Sequence, residues 1–263
     1  MTKQEFLKTI PNIKKINVIF AQTTRMPMVF CHQETMDDFV CVYLKEEDAS
    51  KHAKMLSLEK KPAFVVSCKE KEVLPFFAEL HLIGVNAVNF VLSGEESGEA
   101  IMVQLSEFLK FPDYSKLPAE KQPVENQSLQ LSMLYFMQEV RRPVPKEEKW
   151  NLAELEEETS ANIARAKFLI PVKEVAEGED AAKRGILMLK NDKDEVFFPL
   201  FTDGVELRKF SKGQKVPVLA CGFRVVADMI KKGDAAGILI NPSTSNVTLS
   251  KMGVLAMEKR FYE

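Results

Sequence analysis

Short apolar runs alternate with longer amphipathic stretches along the first half of the chain. The runs 39–44, 63–67 and 87–92 are rich in β-branched or aromatic residues, and each predicts a strand. Between them, residues 46–58 and 70–82 carry apolar side chains at helical spacing behind an acidic first turn, which predicts two helices. The first half is therefore predicted to mix strands with helices.

The second half of the chain predicts the same alternation. Asn191 to Asp194 has the composition of a hairpin turn, and Gly233 follows a helical run that it is expected to end. We predict strands at 167–172, 196–201, 216–220 and 237–240, and helices at 203–210 and 223–232.

Three segments of the first half align with three segments of the second half in the same order. They are 39–46 with 196–203, 65–68 with 218–221, and 86–92 with 234–240, which puts Phe90 in the place of Ile238. We predict an α+β fold with mixed α/β sheets, made by tandem duplication: one module at 1–110, a connector with helices at 111–165, and a second module at 166–263. The residues expected in the two cores are Phe39, Val65, Phe77, Phe90, Phe168, Phe197, Leu219 and Ile238.

A proline-rich connector separates the two predicted modules. Residues 111–127 carry Pro112, Pro118 and Pro123, which favours an extended chain. The helix predicted after it, at 128–141, has a broad apolar stripe that packs on its own domain or else lies buried between modules or between two chains. Candidate binding residues are Met133, Leu134, Phe136 and Met137 of this helix, together with Asn241 and Pro242.

The second half resembles a known family in three segments, 166–172, 196–203 and 236–242, of which the last is the most specific. These segments are similar to the N-terminal domain of the enhanced serine sensitivity (SseB) family, over about 166–257. The resemblance implies an α/β fold and no established enzymatic activity, and it brings no catalytic residues to this chain. Residues 16–108 resemble a degenerate copy, in which Ser93-Gly94 stands where Asn241-Pro242 would be.

Charge and composition exclude several classes of protein. Lys+Arg 36 against Asp+Glu 38 gives a net charge of −2, whereas nucleic-acid binders have a basic surplus. We find no apolar run long enough for a membrane helix or a secretory signal, so we expect a cytoplasmic protein that binds neither nucleic acid nor membrane. The four cysteines are scattered, which disfavours a disulfide framework or a zinc site, and we expect neither metal nor cofactor.

Cys68 and Cys221 are the candidates for thiol chemistry. The alignment places both where a strand is followed by a helix, and a helix N-terminus lowers the pKa of a thiol. A nucleophile also needs a base, yet His32, His52 and His81 all lie in the first half. The structural interpretation, in which both thiols fill a strand–helix junction, is therefore favoured over the catalytic one.

These observations predict a non-catalytic interaction or scaffold protein with an unknown protein partner, possibly a homodimer. The alternative is a thiol-dependent enzyme or redox protein that uses Cys68 or Cys221.

Overall fold

The computed structural model of the chain describes residues 1–93, 99–173 and 185–263. These residues form two compact units. Unit 1 consists of Met1–Asp113 and Leu134–Leu152, and unit 2 consists of Tyr114–Met133 and Ala153–Glu263. The segment predicted as a connector, 111–165, is thus divided between the two units.

Unit 1 contains a mixed sheet with helices. Its elements are α1 (Lys3–Leu7), β1 (Lys15–Ala21), β2 (Val29–Cys31), β3 (Asp38–Tyr43), α2 (Glu46–Leu58), β4 (Ala63–Lys69), α3 (Glu70–Leu82), β5 (Ala87–Ser93) and β6 (Glu99–Gln104). The strand order is β4-β1-β3-β5-β6, with β2 also paired to β3. The β3–β5 pair is parallel and the other pairs are antiparallel.

Side-chain alternation along the strands of unit 1 produces two apolar faces. One face carries Tyr43, which packs in a buried cluster with Ala49 and Ala53 of α2. The other face carries Phe90, whose ring lies 5.8 Å from the ring of Phe77 of α3 in an edge-to-face arrangement. Burial on both faces suits a strand such as β3, which is continuously apolar from Phe39 to Tyr43.

Unit 2 includes the first part of α4 (Gln127–Val140), as far as Met133. It also includes α5 (Leu152–Arg165) from Ala153 onward. The elements that follow are β7 (Lys167–Pro171), β8 (Leu189–Lys190), β9 (Val196–Leu200), α6 (Gly204–Phe210), β10 (Val218–Gly222), α7 (Phe223–Lys232), β11 (Gly237–Ile240), β12 (Val247–Ser250) and α8 (Lys251–Tyr262). One sheet has the order β12-β11-β9-β8, and β10 pairs with β7. A bridge between Leu169 and Phe201 joins β7 to β9.

The strand order of unit 2, read through this bridge, is β10-β7-β9-β11-β12 with β8 on β9. This order and its parallel or antiparallel pairings match those of unit 1. Helices follow the corresponding strands in both units. The prediction of an α+β fold with mixed sheets is confirmed.

Strand register corrects two details of the sequence alignment. Cys68 and Cys221 each lie two residues before a helix, and counting across the ladders from them makes Tyr43 correspond to Phe201. The predicted alignment of 39–46 with 196–203 places Tyr43 on Leu200 and is wrong by one residue. Phe90, the partner of Val42, then corresponds to Ile240, the partner of Leu200. The predicted match of Phe90 with Ile238 is wrong, because a two-residue slip keeps every side chain on its face and leaves the apolar pattern unchanged.

The core prediction is confirmed for Phe77, Phe90, Phe168 and Ile238, which are all fully buried. Phe39, Val65 and Phe197 are only half-buried. Leu219 was expected in the core and is 40% exposed, since it lies on β10 at the edge of the sheet. Strand β6 was not predicted at all. Among the described residues, no helix combines the length and apolar character needed to cross a membrane.

Candidate functional site

The corner after β11 in unit 2 contains a fully buried polar residue, Asn241. Its backbone has left-handed φ of 48°, which turns the chain out of the strand. The Asn241 side chain accepts a hydrogen bond from the Thr202 backbone N–H at 3.0 Å and donates to Thr202 Oγ1 at 2.8 Å. At the corresponding place in unit 1, the Leu44 N–H donates to the backbone carbonyl oxygen of Val91. The acceptor of this backbone N–H is therefore a strand carbonyl in unit 1 and the Asn241 side chain in unit 2.

The Asp203 carboxylate extends this network. Its Oδ1 caps α6 by accepting from the backbone N–H groups of Val205 at 2.7 Å and Glu206 at 2.9 Å. Its Oδ2 accepts from Thr202 Oγ1 at 3.1 Å and from Gln130 Nε2 at 2.6 Å. Gln130 is 6% exposed and belongs to the first half of α4, so the network ties that half-helix to the sheet of unit 2.

A second carboxyl group, that of Glu206, is buried beside the first. Glu206 is 2% exposed, and this burial raises its pKa, although the Thr244 hydroxyl and the Lys209 ammonium group favour the ionised form. Thr244 donates to Glu206 Oε2, and Lys209 Nζ lies 3.3 Å from Glu206 Oε1. Each carboxylate oxygen therefore has a donor, and this arrangement is typical of a structural network.

A cleft of about 490 Å³ lies next to this network, at the start of α4. Asn126 lines it and donates to the carbonyl oxygens of Lys167 at 2.8 Å and Thr202 at 2.6 Å. Glu125 also lines it, and its pKa is raised by burial and by the negative charge of Asp203. The other polar lining groups include Asn162 and Arg165. The cleft offers hydrogen-bonding groups, and its described lining residues include no cysteine or histidine. The sequence analysis did not identify it, because its residues carry no motif.

The candidate binding residues of α4 are mostly buried. Met133, Leu134 and Met137 are 1%, 3% and 9% exposed, and Phe136 is half-buried. Met133 belongs to unit 2, whereas the other three belong to unit 1. The structure brings Asn241 into one network with Gln130 of α4, and leaves Pro242 half-buried beside it. Their role in an interface stays a prediction.

The two candidate thiols lie at strand–helix junctions, at the end of β4 and of β10. Both are buried. Burial, helped by the charges of Glu72 and Glu79, raises the pKa of Cys68. Burial also raises the pKa of Cys221, although Lys167 acts in the opposite direction. These shifts are opposite to those of an activated nucleophile. Within the described ranges, no cluster of three or more His, Cys, Asp or Glu could hold a metal ion.

Strand β10 presents an exposed apolar edge. Val218 and Leu219 are 39% and 40% exposed, and Ala220 is exposed as well. In unit 1, α2 spans 13 residues and packs against β4, whereas α6 of unit 2 spans only 7. Within the described part of the chain, β7 is the only strand paired with β10. An apolar edge strand without charges is an unusual feature, because such edges promote pairing with other chains.

Residues 151–255 match the SseB protein N-terminal domain. This SseB-like segment confirms the predicted resemblance of the second half, and it contains the Asn241 corner and the β10 edge. No curated protein matches the chain.

Two solved structures align over nearly the whole chain. Tic22 from Plasmodium falciparum is 13% identical and aligns over 97% of this chain and 96% of its own, with a TM-score of 0.22. Anabaena Tic22, described as a protein of protein transport, is 9% identical and aligns over 100% and 98%, with a TM-score of 0.23. At these TM-scores the alignments do not establish a shared fold.

Proposed function

We propose that this chain is a non-catalytic interaction protein that binds an extended segment of a partner protein along β10. The exposed apolar edge of the SseB-like segment carries this proposal, because main-chain pairing at such an edge gives affinity to an extended peptide. The raised pKa values of Cys68 and Cys221 favour it over the thiol-enzyme alternative.

The tandem duplication predicted from the sequence is part of this proposal. Both units have one strand order and one set of pairings, which supports descent from a single module. The units differ around the edge strand: α2 packs on β4 in unit 1, whereas α6 of unit 2 is shorter and Val218 and Leu219 of β10 are exposed. We infer that the two copies have diverged, with the second keeping the binding edge.

Backbone geometry decides which groups on β10 are available to a partner. The Val172 N–H donates to the Pro217 carbonyl oxygen, and the Phe223 N–H donates to the Ala166 carbonyl oxygen. Hydrogen-bonded and non-hydrogen-bonded pairs alternate along an antiparallel ladder. Because Pro217 and Phe223 are hydrogen-bonded to the β7 side, Leu219, two residues after Pro217, also points its backbone groups at β7. Those of Val218, Ala220 and Gly222 then point outward. An incoming strand would pair with these three residues.

The surroundings of β10 select the chemistry of the partner. Lys215 precedes the strand, Lys167 pairs with Gly222 at its end, and both are exposed. Beyond Gly222, a groove of about 360 Å³ is lined by Arg224 and Val225, among others. A complementary segment therefore has apolar residues at alternate positions and acidic residues at its ends.

The test uses a fluorescein-labelled peptide with valine at alternate positions and glutamate at both ends, titrated into the full chain and followed by anisotropy. Ala220→Pro removes one outward-facing N–H and breaks no bond to β7, because proline is tolerated on the free side of an edge strand. We expect this variant to bind at least about tenfold more weakly than wild type. Ala220→Val keeps the N–H and is the matched control, with affinity close to wild type.

Two outcomes would contradict the proposal. If Ala220→Pro binds the peptide as tightly as Ala220→Val, then the edge is not the binding site. If the chain without peptide has a doubled mass that Ala220→Pro restores to that of a monomer, then the edge is occupied by a second copy of the chain. Weaker binding at high salt, with the same order of variants, would support the role of Lys167 and Lys215.

A further inference from the structure

A second cavity, of about 200 Å³, lies in unit 1 against one face of its sheet. Alternation along β3 places Phe39, Cys41 and Tyr43 on this face. The ladders place Phe30 of β2 directly beside Phe39, and Asn89 of β5 directly beside Cys41. Cys41 and Tyr43 are 8% and 1% exposed, so the cavity is set into the sheet and not on a flat surface.

Aromatic rings line one side of this cavity. The rings of Phe30 and Phe39 have centroids 5.7 Å apart and an interplanar angle of 31°. His52 of α2 also lines the cavity, and its ring is nearly parallel to that of Phe30, at 17° with centroids 6.1 Å apart. Rings in similar orientations present flat faces, which favour a flat ligand through offset stacking.

The polar groups that line the cavity are few. Its described lining residues include no aspartate, glutamate, lysine or arginine, so none of these four types would compensate an ionised ligand for its lost hydration. The Tyr43 hydroxyl and His52 Nδ1 are hydrogen-bonded to each other. Asn89 is half-buried, and it lines the cavity. This amide is a donor and an acceptor next to the aromatic wall.

We propose that this cavity binds a small neutral aromatic molecule that carries one hydrogen-bonding group. The ring lies against Phe30 and Phe39, and the polar group bonds the Asn89 amide. The size suits a single ring, because a cavity of about 150 Å³ is sufficient for benzene. The described residues of unit 2 do not repeat the site: there Phe201, which corresponds to Tyr43, contacts the ring of Phe210 of α6, with the ring centroids 5.1 Å apart.

Phenol and toluene are suitable probes because they have nearly the same shape and differ in one hydroxyl group. Each is titrated into the full chain by calorimetry and by saturation-transfer NMR. We expect phenol to bind with a dissociation constant of about 1 mM or tighter, and about tenfold more tightly than toluene. Asn89→Leu should abolish this difference and leave toluene binding intact.

Two methionine variants test the position of the ligand. Cys41→Met extends a side chain into the cavity and should weaken both probes by at least about tenfold. Cys68→Met makes the same change at a buried thiol of β4, outside the lining, and should leave both affinities as in wild type. Circular dichroism checks that each variant is folded, and if Cys41→Met does not fold, Asn89→Leu decides alone.

The proposal is overturned if neither probe binds at millimolar concentration. It is also overturned if phenol binding is the same in Asn89→Leu and wild type, or if folded Cys41→Met binds both probes as wild type does. Equal losses in Cys41→Met and Cys68→Met would likewise contradict it, because they would report a general loosening of unit 1.

Discussion

The side chain of Asn241 hydrogen-bonds both the backbone N–H and the hydroxyl of Thr202, at 3.0 and 2.8 Å, with both residues fully buried. A residue 39 positions away in the sequence thus satisfies a backbone donor that lies beyond the end of β9. This relationship explains why the Asn241-Pro242 corner is specific to the second unit. The sequence alignment places Ser93-Gly94 at this corner in unit 1. The strand register places Val91 at the position of Asn241 instead, and Gly94 lies outside the described residues.

Asn241→Ala removes both bonds and leaves the Thr202 N–H buried without its acceptor. We expect a loss of about 2–4 kcal/mol in the free energy of unfolding, measured by urea denaturation. Asn246→Ala is the matched control, because Asn246 is exposed and has a similar positive φ of 50°. This variant shares the cost of a left-handed alanine, about 1 kcal/mol, and leaves the Asn241–Thr202 bonds in place. Equal losses in the two variants would show that strain, and not the Thr202 contact, is responsible.

Glu206 should make stability depend on pH in a defined direction. Burial raises its pKa in the folded chain above the ordinary 4.5. The unfolded chain therefore ionises first as the pH rises from 4.5, and stability decreases until the pH passes the folded pKa. Glu206→Gln cannot ionise, so its unfolding free energy relative to wild type should increase over this window and stay constant outside it.

Exposed Glu154 provides the control for this experiment. Glu154→Gln makes the same change of charge at a solvated helix start. Both variants are followed by chemical denaturation from pH 4 to 8, and the Glu154→Gln curve corrects for the loss of one exposed charge. A Glu206→Gln difference that decreases as the pH rises would contradict the raised pKa.

Both candidate thiols should react slowly in the native chain. The raised pKa values of Cys68 and Cys221 reduce the thiolate fraction at pH 7, and only the thiolate is alkylated. We expect iodoacetamide to modify each at least about tenfold more slowly than in denaturant, as mapped by mass spectrometry. The pKa of Cys31 is also raised, by burial and by Asp38 and Asp37, but its half-buried thiol is more accessible and should react before either of them. Fast modification of Cys68 or Cys221 at neutral pH would contradict this prediction and support the thiol-enzyme alternative.

Two adjacent residues of α4 should stabilise different parts of the protein. Met133 belongs to unit 2 and Leu134 to unit 1, and both are buried. Truncation of either to alanine should cost about 2–5 kcal/mol. Hydrogen exchange should show the main loss of protection in unit 2 for Met133→Ala and in unit 1 for Leu134→Ala. The same pattern of loss in both variants would contradict the division at this point of the helix.

The candidate site shows how far sequence reasoning reaches. Asn241 was singled out from the Asn-Pro pair, yet its partners Thr202, Asp203 and Gln130 could not be identified. They lie far apart in sequence and carry no shared motif. Polar residues that meet only after folding leave no periodic signal, whereas the apolar spacing of a helix is visible in any short window.

The sequence by itself determined the kind and order of most elements, because spacing and turn chemistry are local. The helices predicted at 46–58, 70–82 and 223–232 have the bounds observed for α2, α3 and α7, the last ending before Gly233. Tertiary structure alone decided the strand register that matches Phe90 with Ile240, the exposure of Leu219, and the division of α4 between two units. Register and exposure depend on which strand or helix lies alongside. An apolar residue gives the same sequence pattern in a covered strand as in an exposed edge strand.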